Sequence, residues 1–134
     1  MAKTPNKSKA RILLAEDDRF LSKALSYKLF RSGFDVLLAN DGIEAIDKLK
    51  TREFDLVLLD VIMPYKDGFE VLREVKGDQR LKNVPIVMMS NFGKTSEMIK
   101  GQELGMSDYI VKSDLSLDMM VKKIEELLKQ KVAP

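Results

Sequence analysis

Five short apolar runs lie along the chain, separated by segments whose apolar residues recur every three or four positions. The runs are Arg11–Ala15, 34–39, 55–60, 84–89 and Asp108–Val111, each of a length that suits a buried strand. Between the first two, Phe20, Leu21, Ala24, Leu25, Lys28 and Leu29 stand at helical spacing, and Gly33 stops that helix. Asp41 with Glu44, and Asp67 with Glu70, each place an acid three residues before a glutamate, the pattern of a capping box. The first pair opens a short helix carrying Ile43, Ile46 and Leu49, and the second a helix carrying Phe69, Val71, Leu72 and Val75. A weaker helical pattern spans Thr95–Leu104 before Gly105, and Leu117, Met120, Val121, Ile124, Leu127 and Leu128 form the stripe of a last helix. Met88, Met89, Met119 and Met120 read as core filler. Strands alternating with helices through short loops predict βαβ units, hence an α/β domain with a parallel sheet covered on both faces. Right-handed crossovers make it doubly wound.

The 134 residues amount to about one domain, with no internal repeat, and are enough to bury a core without disulfides. Four of the 23 basic groups fall in residues 1–11, which hold no acid, leaving 19 against 21 in the rest. The expected division is therefore a flexible basic tail at 1–9, a mildly acidic domain at 10–130 and a short tail at 131–134. No apolar run approaches the ~18 residues of a membrane span, and the tail lacks the apolar stretch of a signal peptide. The expectation is a cytoplasmic protein with no membrane contact. Cysteine and histidine are both absent, which removes zinc–thiolate clusters, histidine metal sites and Ser-His or Cys-His nucleophiles. Any chemistry must come from carboxylates, hydroxyls, lysines and the backbone.

In an open α/β sheet, ligands bind beyond the carboxyl ends of the strands, where strand order reverses. Strand one ends in Glu16-Asp17-Asp18, strand three in Asp60, strand four in Ser90-Asn91 and strand five in Lys112. Two carboxylates about 4 Å apart repel by roughly 4 kcal/mol at an effective dielectric near 20. Lys112 offsets only one of three such charges, so Glu16, Asp17 and Asp60 call for a divalent cation. An all-oxygen donor set points to a hard ion, Mg²⁺ or Mn²⁺. Asp60 is then a candidate nucleophile towards phosphorus, with Lys112 and the Ser90 hydroxyl as further partners for the phosphoryl oxygens. Asp18 suits the start of the first helix, and Asp67-Gly68 a turn and helix start.

With these residues in place, residues 10–130 resemble a response-regulator receiver domain of bacterial two-component signalling, the CheY-like family. The resemblance rests on Glu16-Asp17, on Leu58-Leu59-Asp60-Val61-Ile62-Met63-Pro64 followed by Asp67-Gly68, on Ser90, and on Tyr109 three residues before Lys112. It implies the flavodoxin-like receiver fold, five parallel strands in the order 2-1-3-4-5. It implies that Asp60 accepts a phosphoryl group from a sensor histidine kinase, a phosphotransfer protein or a small acyl-phosphate donor. It implies Mg²⁺ on Asp17, Asp60 and the Ile62 carbonyl, with Glu16 acting mostly through water. Ser90 and Tyr109 are implied as switch residues that move on phosphorylation and remodel the surface of the fourth helix, fifth strand and fifth helix. Tyr109 also reads as ordinary half-buried strand packing.

The sequence departs from the family at several positions. Ser113 stands where proline usually follows the lysine, and a cis bond there would cost about 2.5–4 kcal/mol, so a trans Lys112–Ser113 bond is expected. Asn91 is bulkier than usual, and neither Ile62 nor Phe92 offers a polar group to orient water, which predicts slow autodephosphorylation. The favoured reading is a phosphorylation-controlled switch that signals through an unidentified protein target, without turnover catalysis or direct nucleic-acid binding. The alternative is a pseudo-receiver acting without phosphorylation. A Mg²⁺-dependent phosphatase would need a second acid where Ile62 stands, and a flavodoxin-type cofactor site would meet acids after strand one.

Overall fold

The structure is a computed structural model that describes residues 9–132. The expectations for residues 1–8 of the basic tail, and for 133–134, lie outside the described residues. Among the described residues five strands, β1 (Arg11–Ala15), β2 (Asp35–Ala39), β3 (Leu56–Asp60), β4 (Ile86–Ser90) and β5 (Asp108–Val111), alternate with five helices. These are α1 (Arg19–Arg31), α2 (Gly42–Thr51), α3 (Gly68–Lys76), α4 (Thr95–Leu104) and α5 (Leu117–Val132). All strand pairs are parallel and the order is β2-β1-β3-β4-β5, the receiver topology expected. The last helix runs two residues past the boundary at 130.

Strand alternation sorts the core into two layers. Leu13, Ala15, Val57, Leu59, Ile86 and Met88 face α2 and α3, where Ala45, Ile46, Leu49, Phe69, Leu72 and Val75 complete one cluster. Ile12, Leu14, Leu56, Leu58, Val87, Met89 and Ile110 face α1 and α5 across Leu25, Leu29, Met120 and Ile124. β3 and β4 are buried along their whole length, which is why they read as continuous apolar runs.

Several expected core positions turn outward. Phe20 is 83% exposed, while Ser22 takes the buried place beside Leu25 and Leu29. At 100° per residue, Phe20 is about 140° away from Leu25 on the helix, whereas Ser22 is about 60° away. Ile43 sits at the edge of the α2 stripe and is exposed, and Met119 points out while its neighbour Met120 is buried. Asp67 and Glu70 form a complete capping box at α3. At α2 only half of it forms, because the Glu44 carboxylate accepts from the Asn40 N–H instead.

The register places the functional strand ends. Ala15 is level with Leu59, Leu59 with Met88, and Met88 with Tyr109. Glu16 and Asp60 therefore emerge one step later, side by side, at the point where the chain has passed from one side of β1 to the other. Gly68 lets α3 start hard against this edge: a Cβ there would overlap the Asp60 carbonyl and the Met88 side chain. Its N–H donates to the Val61 carbonyl at 2.8 Å.

Candidate functional site

The acid pocket is built from three chain segments far apart in sequence. Glu16 follows β1, Asp60 closes β3, and Lys112 begins a single 3-10 turn, Lys112–Asp114, directly after β5. The Lys112 ammonium donates to Glu16 Oε1 at 2.5 Å and lies 3.2 Å from Asp60 Oδ1. These side chains are 10%, 1% and 5% exposed for Lys112, Glu16 and Asp60 respectively. Asp17 sits at the solvent side of the same cluster, and oxygens of Glu16, Asp17 and Asp60 lie within 4.8 Å of one another. The second Glu16 oxygen accepts the Asp18 N–H at 3.1 Å. Asp18 in turn caps α1, accepting from the Phe20 and Leu21 N–H groups.

The electrostatics follow from burial and crowding. Asp60 is pushed up to about 8, first by burial, then by the hydrogen bond and negative charge of Glu16, and Lys112 only partly opposes this. Burial by itself would lower Lys112, but the Glu16 hydrogen bond and the charges of Asp60 and Glu16 outweigh it and hold the ammonium above its usual range. Three carboxylates against one lysine leave the pocket short of positive charge. The donor set is all oxygen and suits a hard divalent cation. Ile62, whose side chain is exposed, lies in the loop two residues after Asp60, and its carbonyl is the remaining donor expected from the sequence.

Ser90 and Tyr109 form a second group with α4. Ser90 is buried, and it has the strand phase of Met88, the register partner of Tyr109. Both side chains thus lie towards the sheet face that α4 approaches. The Ser90 hydroxyl donates to Glu97 Oε1 at 2.6 Å, and the Tyr109 hydroxyl donates to the same oxygen at 3.1 Å. The Ser90 oxygen accepts from the Phe92 and Gly93 N–H groups, both at 3.3 Å. Burial raises the Tyr109 phenol above its ordinary value; the nearby Ser90 hydroxyl opposes the shift, and Glu97 adds to it. Sequence reasoning missed Glu97, since a glutamate in the first turn of a weakly patterned helix reads as a solvated charge. The signal that could have found it is strand phase, which puts Ser90 and Tyr109 on one face beneath that turn.

The loops around the two groups are joined. No cis peptide occurs among the described residues, so Lys112–Ser113 is trans as expected. The Ser113 hydroxyl donates to the Asn91 carbonyl at 3.2 Å, tying the loop after β5 to the loop after β4. Phe92 is exposed on that second loop.

Comparison with known proteins agrees with this geometry. The family described as response regulator receiver domain matches residues 12–125. The transcriptional regulatory protein CpxR homolog of Haemophilus influenzae is 36% identical over 125 residues, 93% of this chain and 53% of that protein. The chain spans about half the length of the curated relatives it matches. The phosphorylated cyanobacterial phytochrome response regulator RcpA superposes with a TM-score of 0.84 at 30% identity, covering 94% of this chain and 98% of that one. The Mn²⁺-bound form of the response regulator Rcp1 gives a TM-score of 0.76 at 30% identity, covering 87% and 91%. By sequence and by fold, the chain belongs to the response regulator receiver domain family of two-component signalling.

Proposed function

We propose that this domain is a phosphorylation-controlled switch whose acceptor is Asp60. The observation that carries the reading is the meeting of Glu16, Asp17, Asp60 and Lys112 in one pocket at the sheet's carboxyl edge. Mg²⁺ or Mn²⁺ would be held by Asp17, Asp60 and the Ile62 carbonyl, with Glu16 behind them. Both Glu16 oxygens are already engaged, by Lys112 and the Asp18 N–H, which fits a supporting role through water. The ion would supply the positive charge that keeps Asp60 ionised and draws in the phosphoryl oxygens. The Mn²⁺-bound form of Rcp1 and the phosphorylated RcpA support this reading from similar proteins.

The Asp60 carboxylate then attacks phosphorus, an acyl phosphate forms, and the bond to the donor breaks. The donor is the phosphoimidazole of a histidine kinase or phosphotransfer protein, or a small acyl phosphate. Lys112 holds one phosphoryl oxygen and the Ser90 hydroxyl a second. With Ile62 and Phe92 both exposed and apolar, nothing polar at those positions aligns a hydrolytic water, so the acyl phosphate is expected to last many minutes. The domain turns over no substrate, and it passes its state by protein contact through α4, β5 and α5 rather than by reading nucleic acid itself. Its setting is the cytoplasm; among the described residues no helix is long and apolar enough to cross a membrane.

The test is intact mass spectrometry after incubation with acetyl phosphate and Mg²⁺. The wild type gains one phosphoryl group, and Asp60→Ala or addition of EDTA abolishes the gain. Labelling that persists in Asp60→Ala would place the acceptor elsewhere, and no labelling of the wild type would favour a pseudo-receiver.

A further inference from the structure

The Ser90 hydroxyl has no spare hydrogen. A serine hydroxyl has one hydrogen to donate and two lone pairs to accept with. In this structure the hydrogen goes to Glu97, and the oxygen faces the Phe92 and Gly93 N–H groups. Ser90 therefore cannot donate to a phosphoryl oxygen on Asp60 while it donates to Glu97. Tyr109 spends its only hydrogen on the same carboxylate oxygen, so one atom of α4 holds both hydroxyls.

That carboxylate is also a large part of what ties down the start of α4. Gly101 is the helix's buried residue, and Met98 and Ile99 are exposed. Lys94, at the N-cap, provides no side-chain cap. The other end is anchored by Gly101 against Met106 and by Leu104, which packs on the core. Among the described residues, Glu97 makes the side-chain hydrogen bonds from the first turn to the sheet, while Lys100 in the next turn lies over the Phe69 ring at 4.6 Å.

We propose that Glu97 is a positioning residue, a latch whose bonds to Ser90 and Tyr109 hold the resting arrangement and whose release couples phosphorylation of Asp60 to movement of the first turn of α4. This rests on the phosphoacceptor reading above. When Ser90 turns to a phosphoryl oxygen it leaves Glu97 with one donor fewer, and the turn loses its tie. The latch sets how far the resting state is favoured, because the bond to a charged acceptor is present in one state and absent in the other.

The experiment is titration with beryllofluoride, which mimics a phosphoryl group, in the presence of Mg²⁺, followed by amide NMR on the full chain. Glu97→Ala tightens beryllofluoride binding by about tenfold or more, the ratio expected for losing a hydrogen bond to a charge in the resting state alone. Glu97→Gln keeps an acceptor oxygen and falls between wild type and alanine. In the unliganded Glu97→Ala protein, α4 amides shift along the path that wild type follows on binding. In a Ser90→Ala, Tyr109→Phe background, the Glu97→Ala change alters affinity by less than about twofold, since the partners are gone. A Glu97→Ala protein that folds and binds no tighter than wild type overturns the latch, as does an equal gain in the background lacking both hydroxyls. Wild type that takes up no beryllofluoride at all removes the phosphoacceptor reading, and the latch with it.

Discussion

The two polar groups at the carboxyl edge of the sheet are built on different principles. Glu16, Asp60 and Lys112 make a buried charge cluster with unequal signs, fixed by strand register and by a lysine reaching from the turn after β5. Ser90, Glu97 and Tyr109 make a hydrogen-bonded chain between the sheet and one sparsely buried helix. In the first, the energetics are dominated by desolvated charge that lacks a full counter-charge. In the second, the atoms are satisfied, and a change of partner costs little overall. A charge cluster suits the event of phosphorylation, and a satisfied but exchangeable hydrogen-bond chain suits its readout.

The sharpest way to break this contrast is to remove the lysine. Lys112→Met leaves Glu16 and Asp60 buried without their cation, and the loss of one partner of a buried pair costs about 3–5 kcal/mol. Urea unfolding in EDTA at neutral pH would show the drop. A loss below about 1 kcal/mol would mean that the cluster is as loosely held as a surface ion pair.

Asp60→Asn is expected to act in the opposite direction, and with a pH signature. Asp60 is raised from 3.8 to about 8 in the folded protein, so the fold prefers it protonated. That contribution is complete below about pH 4 and is lost as pH rises through about 8, with a slope of at most about 1.4 kcal/mol per pH unit for one proton. Without divalent cation, the stability advantage of Asp60→Asn over wild type therefore grows between pH 4 and 8, to a few kcal/mol. Mg²⁺ narrows the gap by stabilising wild type alone. A gap that is flat with pH would contradict the crowding of Asp60 by Glu16.

Ser90→Ala tests whether the two groups are separable. It removes the resting bond to Glu97 and the bond to the phosphoryl mimic together, so the two losses largely cancel and beryllofluoride binding is expected to change by no more than about threefold, with Mg²⁺ affinity within about twofold. Isothermal titration of each ligand distinguishes the two. A loss of Mg²⁺ affinity of about tenfold would mean that the hydroxyl chain and the charge cluster form one unit.

Much of the first group was legible in the sequence, because each of its residues closes a run of apolar positions. Strand ends are readable once strands are, and β5 and α4 fall where the pattern puts them. What was hidden is a matter of helix phase and of tertiary contact. Phe20 and Ile43 look like stripe residues by type, yet their angular positions turn them to solvent. Glu97 carries no local signal, since its role depends on where a helix with little apolar patterning settles against Ser90 and Tyr109. Even the half-formed capping box at α2 depends on the Asn40 N–H being within reach of Glu44, which spacing alone does not disclose.

The central claim is that acids from two strand ends, those of β1 and β3, share one divalent cation around Asp60. Titrating Mg²⁺ into the isotopically labelled protein and following amide shifts tests it most directly. The account predicts saturable shifts centred on Asp17, Asp60 and Ile62, spreading to Lys112, and abolished by Asp60→Ala. Spectra that do not respond to Mg²⁺, or shifts that survive unchanged in Asp60→Ala, would contradict it.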